Sequence, residues 1–168
     1  YTGRSASSIS LERVGGQLTD HYDPRTHTVR LSDSTANQPS VVAMAVVAHE
    51  LGHAQQHEEN SILIQARNIL IPAVQISPMI SYGLILFGLL FNLLDLFWLG
   101  VLFFAVAVGF TILTLPVEFD ASRRGLQLLR DSGLMLTAQD EQGSREVLTA
   151  AALTYVAAAI TAVLQLLY

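Results

Sequence analysis

Cysteine is absent from the 168-residue chain, and this absence excludes several kinds of chemistry. A chain without thiols has no disulfide framework, no cysteine-ligated zinc and no cysteine nucleophile. Any transition-metal site in this chain must therefore be built from histidine and carboxylate ligands.

Charge is also scarce, because only 14% of the residues are charged while 51% are hydrophobic. Soluble domains usually carry about 25% charged residues. The deficit is uneven: Asp95 is the only charged residue between Arg67 and Glu118, and none follows Glu146. The net charge is −5 and basic patches with interleaved aromatics are absent, which argues against a nucleic-acid partner.

Three long segments lack charge altogether: Ile69 to Phe91, Leu96 to Leu115, and Val147 to Leu167. A helix that crosses a bilayer needs about 20 predominantly apolar residues. The alternative is a set of buried core helices, but a soluble domain of this size could not easily bury three of them. We therefore predict three transmembrane helices and a lipid bilayer as a partner. Pro72 and Pro78 predict a kinked or displaced start of the first span, with its regular portion nearer Ser81.

The short connection Asn92 to Asp95 makes the first two segments a helical hairpin, so the chain before it and after it lies on one side of the membrane. Lysine is absent, and all nine positive charges are arginines on that side, which the positive-inside rule assigns to the cytoplasm. We expect one domain over 1–168, with a soluble segment over 1–67, a transmembrane hairpin over 69–115, a soluble helical segment over 116–146 and a transmembrane helix over 147–168.

The motif that carries chemistry is H-E-x-x-H, which runs from His49 through Glu50 to His53. We predict that it lies on a helix, with Pro39 in the first turn and Asn37 or Gln38 as the cap. On a helix, positions i and i+4 differ by about 40° in direction and about 6 Å in height, so both imidazoles face one metal ion. Glu50 leaves the helix about 100° from His49 and reaches the attacking water as a general base. The alternative is a pair of solvated histidines beside a carboxylate.

The third metal ligand must come from another element of the chain. His57 continues the i+4 series, but it lies one turn beyond His53, so we interpret it as a residue that supports the ligands or ends the helix. Glu118 is the better candidate, because the hairpin returns the chain to the side of the motif. Pro116 suits the start of a new helix, which places Glu118 in the first turn. The alternative is a glutamate that complements a helix N-terminus.

These residues resemble a known family. The run His49 to His53, followed after a hydrophobic hairpin by Glu118-Phe119-Asp120-Ala121, is similar to the YugP-like bacterial zinc-dependent neutral metallopeptidases. The stretches Thr19 to Pro24 and Ala151 to Val156 carry the same resemblance, which covers about Gly15 to Tyr168. A more distant likeness is to membrane peptidases of the HtpX type and to the CAAX prenyl proteases. The resemblance implies a glutamate-type zincin of the bacterial cytoplasmic membrane, with Glu118 as third ligand.

The chain departs from the wider group at one position. That group usually has an aspartate four residues after the ligand glutamate, where it orients a zinc-bound histidine. Here that position is Ser122, and the nearby acid is Asp120. Asp120 lies about 200° round the helix from Glu118, which makes it a poor substitute. We expect Ser122 or another group to supply this support.

Two further roles are open to several residues. Thr28 to Leu31 alternates polar and apolar side chains and predicts a short strand, and Val29, Arg30 and Leu31 are candidates for pairing with extended substrate. A purely structural strand is the alternative. A zinc peptidase also needs a donor for the oxyanion. The candidates for that donor are His21, Tyr22, His27, Arg124 and Tyr155.

The sequence therefore predicts a mainly α, membrane-integral, zincin-like protein of the glutamate type, with a short strand element and about three transmembrane helices. The expected function is a membrane-anchored endopeptidase that holds one zinc ion per chain and acts on a protein or peptide substrate. A non-catalytic metal-binding membrane scaffold is the alternative. An intramembrane protease is less consistent, because only about eight apolar residues precede His49 and polar residues follow His53 closely.

Overall fold

The chain is described by a computed structural model over residues 9–59, 61–135 and 137–167, except for the side chains of residues 63, 66–75 and 166. It is mainly helical, with a short sheet before the first long helix. The described residues form two compact units: one contains those up to Ser61 and within Val117–Leu153, and the other contains those within Ile62–Pro116 and from Thr154 onward.

A three-stranded sheet precedes the helices. Its strands are β1 (Ser10–Val14), β2 (His21–Asp23) and β3 (Thr28–Ser32), in the spatial order β1-β3-β2. β1 runs parallel to β3 and β2 runs antiparallel to it. The predicted strand is thus present, and Arg30 on β3 pairs with Glu12 at 3.0 Å and with Asp23 at 2.6 Å across its two neighbours.

The central position of β3 favours the purely structural strand over the candidate role of Val29, Arg30 and Leu31 in pairing with extended substrate. β1 pairs with β3 along its whole length, and β2 pairs with Thr28 to Arg30 on the other side. Beyond that, the backbone N–H of Ser32 donates to Asp20 Oδ1 at 2.8 Å. Strand addition needs a free edge, and both edges of β3 are already occupied.

The sheet leads into two helices, α1 (Asp33–Asn37) and α2 (Val41–Glu58), and α2 packs on β2 and β3. Ser40, not Asn37 or Gln38, is the N-cap of α2. Its backbone is extended and its side chain accepts the N–H of Ala43 at 3.1 Å, which satisfies one of the free donors of the first turn. Pro39 therefore lies before the helix and not in its first turn.

In the second unit, α3 (Ile62–Leu90) and the first portion of α4 (Leu94–Ser132) form the expected helical hairpin. Asn92 adopts the left-handed conformation, with φ of 57°, and the N–H of Leu93 donates to the carbonyl of Gly88 at 2.8 Å. This is the hydrogen-bond pattern of a Schellman C-cap, which ends α3 sharply and turns the chain back.

Small residues bring the two helices of the hairpin into close contact. A Cβ atom on Gly88 would lie 2.6 Å from the backbone nitrogen of Phe97. The hydroxyl of Ser81 donates to the carbonyl of Gly100 at 2.8 Å. Close packing of small residues and hydrogen bonds from serine are the usual means of helix association in an apolar environment.

Pro116 does not open a new helix, which corrects our expectation. α4 continues through it from Leu94 to Ser132. A proline in an apolar helix removes one backbone hydrogen bond without ending the helix. Glu118 consequently lies in the interior of a 39-residue helix and not in a first turn. The alternative role for Glu118, complementing a helix N-terminus, is therefore excluded.

Among the described residues, two helices are long and apolar enough to cross a membrane: α4, and α5 (Ala138–Leu167) over Ala138–Gln165. In α3 the apolar helical stretch among the described side chains is shorter, Ile76–Leu90, although the helix itself runs through both prolines. The third span that we expect from the sequence is thus not confirmed.

Candidate metal centre

The first unit brings two segments of the sequence together at one buried point. α2 carries His49 and His53, and α4 carries Glu118. All three side chains are buried, with Glu118 only 1% exposed. Among the described residues they form the one group of three or more potential ligands, and one ligand atom from each lies within 4.8 Å of the others.

The two distances from Glu118 to the histidines match those between ligands of a small tetrahedral ion. Oε2 of Glu118 lies 3.3 Å from Nε2 of His49 and 3.4 Å from Nε2 of His53. Zinc binds imidazole nitrogen and carboxylate oxygen at about 2.0–2.2 Å, so two ligands of a tetrahedral site are about 3.3–3.5 Å apart. Two imidazoles and one carboxylate also form a donor set that zinc favours over magnesium or calcium. The residues present therefore fit the ion.

Glycines allow the two ligand-bearing helices to approach this closely. A Cβ atom on Gly52 would lie 2.4 Å from the carbonyl oxygen of Ala121. A Cβ atom on Gly125 would lie 2.8 Å from the carbonyl oxygen of Ala48. Since no side chain fits at either point, the backbones of α2 and α4 are in contact beside the ligands.

Each imidazole also has a hydrogen-bond partner at Nδ1, the ring nitrogen that does not face Glu118. Ser122 Oγ lies 3.2 Å from Nδ1 of His49. Gln56 Oε1 lies 3.0 Å from Nδ1 of His53. With both Nδ1 atoms engaged, the Nε2 atoms are the ones that face Glu118, as in metal sites whose histidines are oriented by a second hydrogen bond.

Gln56 is the site residue that the sequence analysis missed. It is 2% exposed, and its amide nitrogen donates to the carbonyl of Val117 at 2.9 Å and to Oδ2 of Asp120 at 2.9 Å. The available signal was its position, because a residue three places after His53 lies on the same helical face. Asp120 therefore reaches the site through Gln56 and not by facing a histidine directly.

Arg124 links Asp120, the partner of Gln56, to Glu59 at the end of α2. Its side chain donates to Oδ2 of Asp120 at 2.6 Å and to Oε2 of Glu59 at 2.7 Å. A guanidinium held by two carboxylates is a structural bridge, so the geometry favours this role for Arg124 over its candidate role as an oxyanion donor.

Glu50 follows His49 directly on α2 and is 8% exposed. Within the described residues, no hydrogen bond or ion pair engages its carboxylate. It is thus outside the group of potential ligands formed by His49, His53 and Glu118.

His57 lies away from the ligand group and against the sheet. Its Nδ1 atom is 3.4 Å from the hydroxyl of Tyr22, and its ring centroid is 5.0 Å from that of His27. The Tyr22 hydroxyl is also 3.2 Å from Nδ1 of His27. Burial raises the pKa of Tyr22, and the negative charges of Glu58 and Asp23 add to this, so the phenol remains protonated at neutral pH.

The remaining oxyanion candidates are not selected by their contacts. Nδ1 of His21 lies 2.8 Å from the carbonyl of Thr19, at an exposed position. Tyr155 lies on α5 in the second compact unit. Both stay candidates on the grounds given by the sequence.

Comparison with known proteins gives one family and one relative. A family model described as "Putative neutral zinc metallopeptidase" matches residues 3–168. The chain is 42% identical over 159 residues to "Putative membrane protease YugP" of Bacillus subtilis (strain 168), which covers 95% of the chain and 70% of that relative. No solved structure matches it.

Proposed function

The chain belongs to the family of neutral zinc metallopeptidases, and we propose that it is a membrane-anchored endopeptidase whose zinc ligands are His49, His53 and Glu118. The substrate class is a protein or peptide. One zinc ion per chain accounts for the single group of potential ligands among the described residues.

The observation that carries the proposal is the way the ligand atoms face each other. A neutral imidazole that donates through Nδ1 presents a lone pair at Nε2. Both Nε2 atoms lie 3.3–3.4 Å from the buried Glu118 oxygen, which is also an acceptor. A positive charge among these three atoms compensates the buried carboxylate of Glu118, because burying a charge is costly unless it is paired. One zinc ion supplies it for all three atoms.

Glu50 is the proposed general base. Zinc, when bound, polarises a carbonyl group and lowers the pKa of water. Glu50 lies next to His49 and keeps its carboxylate for the proton of the attacking water, which it later passes to the leaving amine. A carboxylate beside the ligands but outside the ligand group favours hydrolysis over a metal-binding scaffold, since a scaffold has no use for such a base.

The membrane arrangement that we propose follows the charge pattern. α4 and α5 are candidate spans, and the apolar segment from Ile69 adds a third within α3. We treat residues 1–168 as a single domain. Its arginine-rich segments lie in the cytoplasm, and the metal centre lies on the same side of the membrane. The short connection between α3 and α4 lies outside. We place the chain in the bacterial cytoplasmic membrane, and the name of the Bacillus relative supports a membrane location.

The experiment that tests hydrolysis compares Glu50→Gln with the wild type in detergent. The amide keeps the shape of the side chain and loses its basicity, so this variant should bind zinc and cleave a casein or peptide library at least about a hundredfold more slowly. Glu146→Gln, the same chemical change at an exposed position on α5, should cleave at the wild-type rate. Equal turnover by Glu50→Gln would reject the mechanism. Zinc binding with no cleavage by the wild type would favour the scaffold.

A further inference from the structure

Gln56 is the largest side chain among the fully buried ones, and all of its polar atoms are used. Its amide lies between the two helices that carry the ligand group. It contacts one ligand, His53, on α2, and two acceptors on α4, the Val117 carbonyl and Asp120. Buried amides with every hydrogen bond made hold one geometry strictly, because any rotation leaves a buried polar atom without a partner.

The orientation of this amide follows from its partners. A backbone carbonyl and a carboxylate only accept hydrogen bonds, so the group that faces them must be the NH2 group. Nε2 of Gln56 lies 2.9 Å from both of these acceptors. Turning the amide over would place its oxygen against two other oxygens. The carbonyl oxygen of Gln56 must therefore face Nδ1 of His53.

The protonation pattern of His53 follows in turn. Gln56 Oε1 is an acceptor 3.0 Å from Nδ1 of His53, so Nδ1 must carry the hydrogen. In the neutral ring, Nε2 then holds the lone pair, and Nε2 is the atom that faces Glu118. We propose that Gln56 is a positioning residue that sets the metal-binding tautomer of His53 before any metal is present. This inference rests on the proposed metal site.

The two histidines differ in this respect. Nδ1 of His49 lies against Ser122 Oγ, and a hydroxyl either donates or accepts. Ser122 therefore supports either tautomer of His49, whereas Gln56 supports only one tautomer of His53. The fold therefore fixes the tautomer of His53, whereas the tautomer of His49 is set only when the metal binds.

Asp120 contributes to the orientation of His53 indirectly, through Gln56. It accepts from the amide of Gln56, and Arg124 and Arg123 hold it in turn. The acid that stands two residues after Glu118 thus acts on the amide that orients His53. In this way the chain obtains an oriented histidine without an aspartate at position 122.

The test measures the tautomer directly. Five histidines make the chain suitable for nitrogen-15 NMR of labelled imidazoles in detergent, with zinc removed and the pH about two units above the ordinary histidine pKa of about 6.5. The His53 signals are assigned by their loss in His53→Ala. The wild type should show hydrogen on Nδ1 of His53, and Gln56→Met should lose that preference. Zinc affinity, measured by competition with a chelator, should fall about 10–100-fold in Gln56→Met.

Gln55→Met is the matched control. Gln55 is the neighbouring glutamine on α2, and its amide donates to Glu59 at 3.0 Å, away from the ligands. This variant should keep the wild-type tautomer and should bind zinc within about threefold of the wild type, because it leaves both imidazole partners intact. A wild-type tautomer and affinity in Gln56→Met would overturn the inference. An equal loss in Gln55→Met would do the same.

A second variant keeps the inference testable where Gln56→Met does not fold. In the double variant Gln56→Glu with Asp120→Asn, one carboxylate oxygen accepts from Nδ1 of His53, and the other accepts from the new amide at 120 although it loses the bond to the Val117 carbonyl. The hydrogen should stay on Nδ1 of His53, and its absence there would overturn the inference. Failure of the proposed hydrolysis can be told apart from failure of this inference. A wild type that shows this tautomer and this zinc affinity but cleaves no peptide would contradict the hydrolysis and leave the role of Gln56 standing.

Discussion

Gly52 on α2 lies against the backbone of Ala121 on α4, so closely that a Cβ atom on Gly52 would be 2.4 Å from the Ala121 carbonyl oxygen. Gly52 is the residue before one proposed ligand, His53, and Ala121 is three residues after another, Glu118. The contact therefore sets the distance between the two helices at the level of the metal centre.

We expect Gly52→Ala to separate α2 from α4 and to weaken zinc binding. The clash is with backbone atoms, which cannot rotate away as a side chain can. Overpacking of this kind costs about 1–3 kcal/mol of stability, and a shift of Glu118 lengthens its distance to both imidazoles. Thermal unfolding and chelator competition measure the two effects.

Gly109→Ala is the control for this substitution. It makes the same change within α4, where a Cβ atom meets nothing within 4 Å. It should leave zinc affinity unchanged and raise stability by up to about 1 kcal/mol, since alanine favours the helix. If Gly52→Ala behaves like Gly109→Ala, the close contact does not position the metal centre.

We expect metal analysis of the purified chain to find about one zinc per chain, and none in stoichiometric amount in His49→Ala. His49 supplies one of the three atoms that surround the site, and the remaining pair holds the ion far more weakly. The measurement is elemental analysis after gel filtration in detergent. Full zinc retention in His49→Ala would show that the ion binds elsewhere.

The features of the site that could be predicted are those with a fixed local spacing. His49 and His53 lie four residues apart, and a helix alone brings such a pair to one face. Glu118 could be proposed because the apolar hairpin returns the chain, although the expected helix start at Pro116 was wrong. Pro116 lies inside α4, and proline in an apolar helix is not a reliable boundary.

Long-range contacts could not be predicted, because they depend on which faces of two helices meet. Gln56 bonds to Val117 and Asp120, which are 61 and 64 residues away in the sequence. Gly52 and Gly125 have no signal of their own before their partners are known. The order of the sheet was hidden for the same reason, since β3 lies between a parallel and an antiparallel neighbour.

We expect a cysteine at position 34 to be protected from membrane-impermeant reagents in intact cells, and a cysteine at position 95 to be labelled. Ser34 lies on α1 beside the sheet, and Asp95 is exposed at the start of α4. Asp95 is preferred to Asn92, whose left-handed backbone a cysteine strains. The chain has no cysteine of its own to interfere. External labelling of Ser34→Cys would reverse the proposed orientation.

We expect Glu118→Gln to lose zinc and activity together. The glutamine keeps the size of the side chain but removes the negative charge that lies 3.3 Å and 3.4 Å from the two imidazoles. Losing one of three protein ligands should cost several kcal/mol of an affinity that is about 10–16 kcal/mol for a whole structural site. Elemental analysis and peptide cleavage on the same preparation measure both losses.

His57→Ala and Asp120→Asn are the matched comparisons for the third ligand, and both should keep stoichiometric zinc. His57 lies against Tyr22 and not against the ligand group, so its removal leaves the three ligand atoms in place. An asparagine at 120 still offers an oxygen to the amide of Gln56, so the support of His53 survives and zinc affinity should fall by less than about tenfold. If Asp120→Asn strips the metal while Glu118→Gln keeps it, Asp120 is the third ligand and Glu118 is not.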